Sequence, residues 1–182
     1  QRVNDVPSIP GAIHEAMRQM RTGRPRPTEV EISPDTLAAT ADVTFPPVAP
    51  PVPAAVDWPQ VQRAAALLRG ASKPLIWAGG GAVLGEASRE LIALAEALGA
   101  PVATTAEGKG VFPEDHRLSL GVGYYGHGAA SWAAPQADVV LAVGTRLTSQ
   151  MAGLNALCMP QRLIHLDIDP TIIGKNYPAD IR

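Results

Sequence analysis

The chain has 182 residues, 46% hydrophobic and 18% charged, with a net charge of -2: enough apolar material for one well-formed core and too little chain for two full-sized domains. The near-neutral balance and scattered Lys and Arg give no electrostatic footprint for nucleic acid or an anionic membrane, and no apolar stretch reaches the ~20 residues that span a bilayer. Cys158 stands alone, which excludes an intrachain disulfide and fits a reducing cytoplasm.

The opening QRVNDVPSIPG lacks the basic-then-apolar order of a signal peptide, and the missing initiator Met points to a piece of a longer polypeptide. Ile13, Met17 and Met20 recur at helical spacing, with Gly23 as the stop. TEVEI at 28–32 then alternates polar and apolar residues like a strand. One helix and one strand cannot bury a core, so residues 1–36 are expected to belong to a neighbouring domain. PPVAPPVP at 46–53 is proline-rich; proline fixes φ and donates no backbone hydrogen bond, so 37–56 reads as an extended linker.

From residue 57 the pattern becomes regular. Asp57 can cap a helix to about Arg69, with Val61, Ala64, Ala65 and Leu68 on one face. PLIWAG (74–79) reads as a buried parallel strand. A helix is expected over 86–98, burying Leu91, Leu94, Ala95 and Leu98 and ending at Gly99. PVATTA (101–106) is a second strand, GAASWAAPQ (128–136) a short helix, DVVLAVG (138–144) a third strand and RLIHLDID (162–169) a fourth. Strands alternating with helices imply right-handed crossovers and a parallel sheet covered on both faces. The chain contains no internal repeat.

In such a sheet ligands sit beyond the carboxyl ends of the strands, and four of those ends carry suggestive residues. Gly79, Gly80 and Gly81 form a strand-to-helix turn that lets a phosphate approach the backbone, but G-x-G-x-x-x-G departs by one residue from the dinucleotide spacing, and the same glycines suit a tight turn. Thr104 and Thr105 precede Gly108-Lys109-Gly110, which lacks the glycine and trailing hydroxyl of a phosphate loop and reads as a flexible loop beside a cofactor. Gly144-Thr145-Arg146 offers a guanidinium for an adenine or a phosphate, or equally for a domain-interface salt bridge. In RLIHLDID, Ile164, Leu166 and Ile168 share one face while His165, Asp167 and Asp169 share the other. Either carboxylate can accept from ribose hydroxyls, and Asp169 can instead cap a short helix at TIIG.

His14, His116, His127 and His165 show no zinc spacing, and no G-x-S-x-G elbow is present. Tyr124 and Tyr125, beside His127, could line a pocket or pack on a neighbouring subunit. A crevice without an acid–base pair or nucleophile suggests a binding or assembly module.

Taken in order, these segments resemble the central domain of thiamine-diphosphate-dependent enzymes of the acetolactate synthase type. KPLIWAGGGAVLGEASRELIALAEALGAPVATTAEGKGVFPEDHRLSLG, ADVVLAVGTRL and LIHLDIDPTIIGKN are similar to that family's segments. IPGAIHEAMRQMRTGRPRPTEVEISPD looks like the last helix and strand of its pyrimidine-binding domain. The resemblance implies an α/β fold: a three-layer, six-stranded parallel Rossmann-like sheet with helices on both faces, in the manner of DHS-like NAD/FAD-binding domains. It implies a pyrimidine-domain remnant at 1–36, a linker at 37–56 and the central domain at 57–182. It also implies that thiamine diphosphate and Mg2+ are held by the pyrimidine and pyrophosphate domains of the parent, not by this piece, which then catalyses nothing alone.

Central domains of this family bind FAD, ADP or nothing, and the matching residues here are Gly79, Gly80, Gly81, Thr104, Thr105, Gly144, Arg146, Asp167 and Asp169. The parent is expected to be a cytoplasmic homo-oligomer that decarboxylates a 2-keto acid and transfers the acyl carbanion. Two segments depart from the acetolactate synthase pattern: Leu147 to Gly153 replaces F-D-D-R-V-T-G, and GVGYYGHG replaces G-M-L-G-M-H-G. Two further readings stay open, a stand-alone nucleotide-binding domain such as an NAD-dependent deacylase or electron-transfer flavoprotein domain, and a purely structural interface module with an empty crevice.

Overall fold

A computed structural model describes residues 1–48, 50, 54–123, 128–148, 159 and 162–182. Tyr124, Tyr125, His127, Cys158 and the stretch 149–153 lie outside the described residues. The chain separates into two compact units, Gln1–Ala55 and Val56–Arg182.

In the first unit β1 (Arg2–Val3) pairs in parallel with β2 (Glu31–Ile32). Between them α1 (Ile9–Arg21) carries the expected helical face, and Gly23 beyond it takes a left-handed φ of 65°. Met17 and Ile13 of that face are largely exposed, while Ala12 is buried. A short helix not legible in the sequence, α2 (Pro34–Ala38), is capped by the Ser33 hydroxyl, which accepts from the Thr36 N–H.

The second unit is a three-layer α/β domain. α3 (Trp58–Arg69) begins where the Asp57 carboxylate accepts the Gln60 N–H. Its buried face is turned from the expected one: Leu68 is buried and Ala64 and Leu67 pack on the core, while Val61 is exposed. β3 (Pro74–Ala78) is buried throughout. The helix expected over 86–98 is present as α5 (Ser88–Leu98), and a further short helix, α4 (Gly80–Leu84), precedes it. Glu86, between them, sits at φ 52°, which no continuous right-handed helix accommodates. Gly99 closes α5 at φ 60°.

β4 (Val102–Thr104), β5 (Ser119–Val122), α6 (Gly128–Ala133), β6 (Val139–Val143) and β7 (Leu163–Leu166) complete the unit. The short strand β5 was not foreseen; SLGV is too brief and too polar at its start to signal one. The sheet is parallel, in the order β5-β4-β3-β6-β7. This sheet has five strands among the described residues, not six, but Ile181 makes an isolated parallel bridge to Ile164 on the outer side of β7.

Strand alternation divides the core between the two faces. Ile76, Ala78, Val102, Val139, Leu141 and Ile164 pack against Leu68 of α3 and Leu91 and Ala95 of α5. Leu75, Trp77, Ala103, Val140, Ala142 and Leu163 pack against Ala130 and Ala134 around α6. Asp138 fastens the start of β3, its carboxylate accepting the N–H groups of Ser72 and Lys73 at 2.6 and 3.0 Å. Desolvation pulls that carboxyl upward, but those amides, its own amide and the charge of Arg162 together bring it below the ordinary aspartate value.

Candidate functional site

Counted within its own sheet, the strand order runs 3-2-1-4-5, the doubly wound arrangement. Crossovers lead from β3 one way to β4 and β5, while β6 and β7 lie on its other side. The topological switch point therefore falls between the carboxyl ends of β3 and β6, where this class of fold forms its ligand crevice.

The glycines gather there, and their geometry explains why they are glycines. A Cβ on Gly79 would lie 2.5 Å from the Gly144 carbonyl oxygen, and one on Gly81 would lie 2.7 Å from the Gly144 Cα. The Gly79 N–H donates to the Val143 carbonyl and the Gly81 N–H to the Gly144 carbonyl, both at 2.8 Å. The two chains thus meet backbone to backbone at the switch point, and Gly144 is additionally left-handed at φ 58°. Gly80 faces the β4 loop, where a Cβ would meet that of Glu107 at 3.0 Å. The N-terminus of α4 is accordingly occupied by its own neighbours, since Ala82 also donates to the Gly79 carbonyl.

β4 delivers two buried threonines to the same edge. Thr105 is structural: its N–H donates to the Ala78 carbonyl and its hydroxyl accepts the Gly108 N–H at 3.0 Å. Thr104 is also buried, yet its Oγ1 has no hydrogen-bond partner among the described residues. A buried hydroxyl left unpaired costs about 1–3 kcal/mol.

From β6 the chain continues through Thr145, Arg146 and Leu147. Thr145 and Leu147 are buried and Arg146 is exposed. Among the described residues Arg146 makes no ion pair. Leu147 takes a left-handed φ of 46°, unusual for a branched side chain.

β7 ends beside this segment, the Gly144 N–H donating to the Leu166 carbonyl at 2.8 Å. At the start of β7 both faces are covered, Ile164 on one and His165 on the other; toward its end the polar face turns inward, with Asp169 buried and Leu166 and Ile168 more than half exposed. The Asp167 Oδ1 accepts the Asp169 N–H at 2.9 Å, and the Asp169 Oδ1 accepts the Thr171 N–H and hydroxyl at 3.0 and 2.6 Å. TIIG forms turns rather than the expected capped helix, so Asp169 organises a loop. The fold thus brings Gly79, Gly80, Gly81, Thr104, Thr105, Gly144 and Arg146 to one edge, with Asp167 adjoining. Asp169 is committed to the turn after β7. Sequence reasoning placed His165 on a face with Asp167 but gave it no role, and passed over Asn176; both bond to the Thr145–Arg146 segment.

The parallel sheet, its switch point and the glycines gathered there define a doubly wound α/β domain. Residues 61–182 match the family model described as "Thiamine pyrophosphate enzyme, central domain", and the chain belongs to that family. It is 40% identical over 186 residues to the probable acetolactate synthase large subunit of Methanocaldococcus jannaschii, covering 95% of this chain and 31% of that protein. It is 38% identical over 186 residues to the acetolactate synthase large subunit IlvB1 of Mycobacterium tuberculosis, covering 95% of this chain and 29% of that protein. With the acetolactate synthase large subunit of Corynebacterium glutamicum it shares 37% identity over 185 residues, 98% of this chain and 30% of that protein. The chain therefore spans about three tenths of the length of these curated relatives. Among the described residues there is no cluster of three or more His, Cys, Asp or Glu able to hold a metal ion, and no helix long and apolar enough to cross a membrane.

Proposed function

We propose that this chain is the scaffold and nucleotide-binding centre of a thiamine-diphosphate- and magnesium-dependent enzyme of the acetolactate synthase type, and that it takes FAD or ADP at the β3/β6 switch point. The parent would act in the cytoplasm as a homo-oligomer, decarboxylating a 2-keto acid and passing the acyl carbanion to an acceptor. Residues 1–36 would close a pyrimidine-binding domain, 37–56 link, and 57–182 form the central domain. Thiamine diphosphate, which supplies the ylid and electron sink, and Mg2+ would sit between the pyrimidine and pyrophosphate domains. The part of this chain would be to position those domains.

The observation that carries the nucleotide reading is the unpaired, buried Thr104 hydroxyl at a strand end that shares its edge with Arg146. The donor set suits a nucleotide. Arg146 can pair with a phosphate or stack on adenine, the Thr104 hydroxyl can donate, Asp167 can accept from a ribose, and Gly79, Gly80, Gly81, Gly144 and Thr105 form a floor of backbone. Asp169 contributes by holding the β7 loop.

Calorimetric titration of the 182-residue chain with ADP and with FAD tests this reading. Binding that Arg146→Ala or Asp167→Ala abolishes is the expected result, and FAD binding tighter than ADP would mark the flavin-containing branch. A chain that melts cooperatively yet gives no heat with either ligand would refute the nucleotide site and leave the structural interface module, a reading favoured by the tight closure of Gly79 and Gly81 on Gly144.

A further inference from the structure

His165 is a buried imidazole with both ring nitrogens engaged. Nδ1 lies 3.2 Å from the Gly174 amide nitrogen, and Nε2 lies 2.8 Å from the Thr145 carbonyl oxygen. The Gly174 N–H can only donate, so Nδ1 carries no proton and Nε2–H donates to Thr145. The ring is thus a neutral two-ended link between the segment after β6 and the turn after β7.

Two further bonds act on that segment. The Arg146 carbonyl accepts from the Asn176 side-chain amide at 3.0 Å, and the Leu147 N–H donates to the Thr145 hydroxyl at 3.3 Å. Three successive residues are therefore fixed, each by one side-chain bond, at a place where Leu147 is left-handed at φ 46°. A conformation of that kind persists only where its surroundings over-determine it.

We infer that His165 is a positioning residue: through its Nε2–H bond to Thr145, with Asn176 assisting, it sets the backbone from which Arg146 presents its guanidinium to the anionic part of a nucleotide. The ligand half of this inference rests on the nucleotide reading above. The positional half does not, because it concerns only the order of residues 145–147. Burial alone would not choose histidine, since a leucine fills a similar space without bonding either loop.

The test separates the two ends of the ring. In His165→Gln the longer amide keeps a donor for the Thr145 carbonyl. In His165→Asn the shorter amide keeps an acceptor for the Gly174 N–H but does not reach Thr145. His165→Leu keeps neither. All three are expected to lower the melting temperature, so stability does not discriminate among them. Hydrogen exchange at the Leu147 amide does: the rate should stay near wild type in the Gln variant and rise about tenfold in the Asn and Leu variants, as expected for loss of one hydrogen bond.

ADP affinity should follow the same order, near wild type for Gln and about tenfold weaker for Asn and Leu, with Arg146→Ala as the reference for a lost contact. Exchange that quickens and affinity that falls together in all three variants, in proportion to the loss of melting temperature, would overturn the inference and leave His165 a core residue. A wild-type chain that binds neither ADP nor FAD would remove the nucleotide reading and the ligand half with it. The exchange order at Leu147 would then decide the positional half alone, and equal rates in the Gln and Asn variants would refute it.

Discussion

Substituting Gly79 by alanine isolates the close approach at the switch point from any question of backbone strain. Gly79 has φ -111° and ψ -173°, extended geometry open to every residue. The new Cβ, however, would meet the Gly144 carbonyl oxygen at 2.5 Å, the Thr145 Cβ at 2.7 Å and the Thr145 Cα at 2.9 Å. These are backbone atoms or the first side-chain atom, so no rotamer change removes the clash, and β3 and the residues after β6 must separate. Overpacking of this kind costs about 1–3 kcal/mol, and weakening the Gly81-to-Gly144 hydrogen bond adds about 0.5–1.5 kcal/mol, for a total of about 2–4 kcal/mol. For a domain of this size that lowers the melting temperature by about 7–14 °C. The assay is thermal unfolding followed by circular dichroism, with Gly70→Ala as control. A Cβ on Gly70 would meet nothing nearer than the Ala66 carbonyl oxygen at 3.6 Å, so that variant should melt within about 2 °C of wild type. A cooperative melt of Gly79→Ala within the same range would refute the account of why glycine stands there.

Thr104→Val removes the unpaired buried hydroxyl and should be neutral or stabilising by up to about 1 kcal/mol in chemical denaturation; a large loss would mean that the hydroxyl is paired. Gly99→Ala should cost about 1–2 kcal/mol although nothing lies within 4 Å of its Cβ, because φ is 60° there; a silent substitution would mean that the end of α5 adjusts freely. Asp138 contributes to acid behaviour. Its value is lower in the folded chain than its ordinary value, so its contribution is fully present above about pH 4, the unfolded carboxylate range, and is lost as pH falls through the folded value. Asp138→Asn should destabilise at neutral pH and flatten the loss of stability on acidification, as read from denaturant midpoints at several pH values. A variant with the acid slope of wild type would exclude Asp138 as a source of it.

What could be read from the chain follows from which interactions are local. Amphipathic spacing in residues 88–98 and apolar runs at 74–78 and 139–143 record a burial pattern within one element, so these elements were legible. The break at Glu86 was not, since it depends on a left-handed residue that composition does not mark. β5 exists because its edge pairs with β4, a non-local partner that SLGV cannot announce. The strand-end glycines stood out as special, but whether they approach a phosphate or another backbone depends on Gly144, more than sixty residues from Gly79 and Gly81. His165 shows the same limit. Alternation aligned it with Asp167 and Asp169, yet its two bonds run to Thr145 and Gly174, which only the folded chain brings beside it.

The close packing at the switch point bears on how a nucleotide would be held. In a dinucleotide fold with an open glycine turn, backbone N–H groups at the first helix receive the phosphates, assisted by the helix dipole. Here the Gly81 and Ala82 N–H groups are already bonded to Gly144 and Gly79, and α4 has only five residues, too few for a substantial dipole. The phosphate of a bound ADP would therefore be met by a side chain, and Arg146 is the exposed cation on that segment. Pairing with an exposed guanidinium is screened over a Debye length of about 10 Å at 0.1 M salt, whereas enclosed amide contacts are screened much less. ADP affinity should fall steadily as ionic strength rises, and Arg146→Ala should remove that dependence together with most of the binding. Calorimetric titrations at low and high salt on both proteins would show it. ADP binding that is indifferent to salt and survives Arg146→Ala would place the phosphates on backbone amides, which would require the Gly79–Gly81 turn to open away from Gly144.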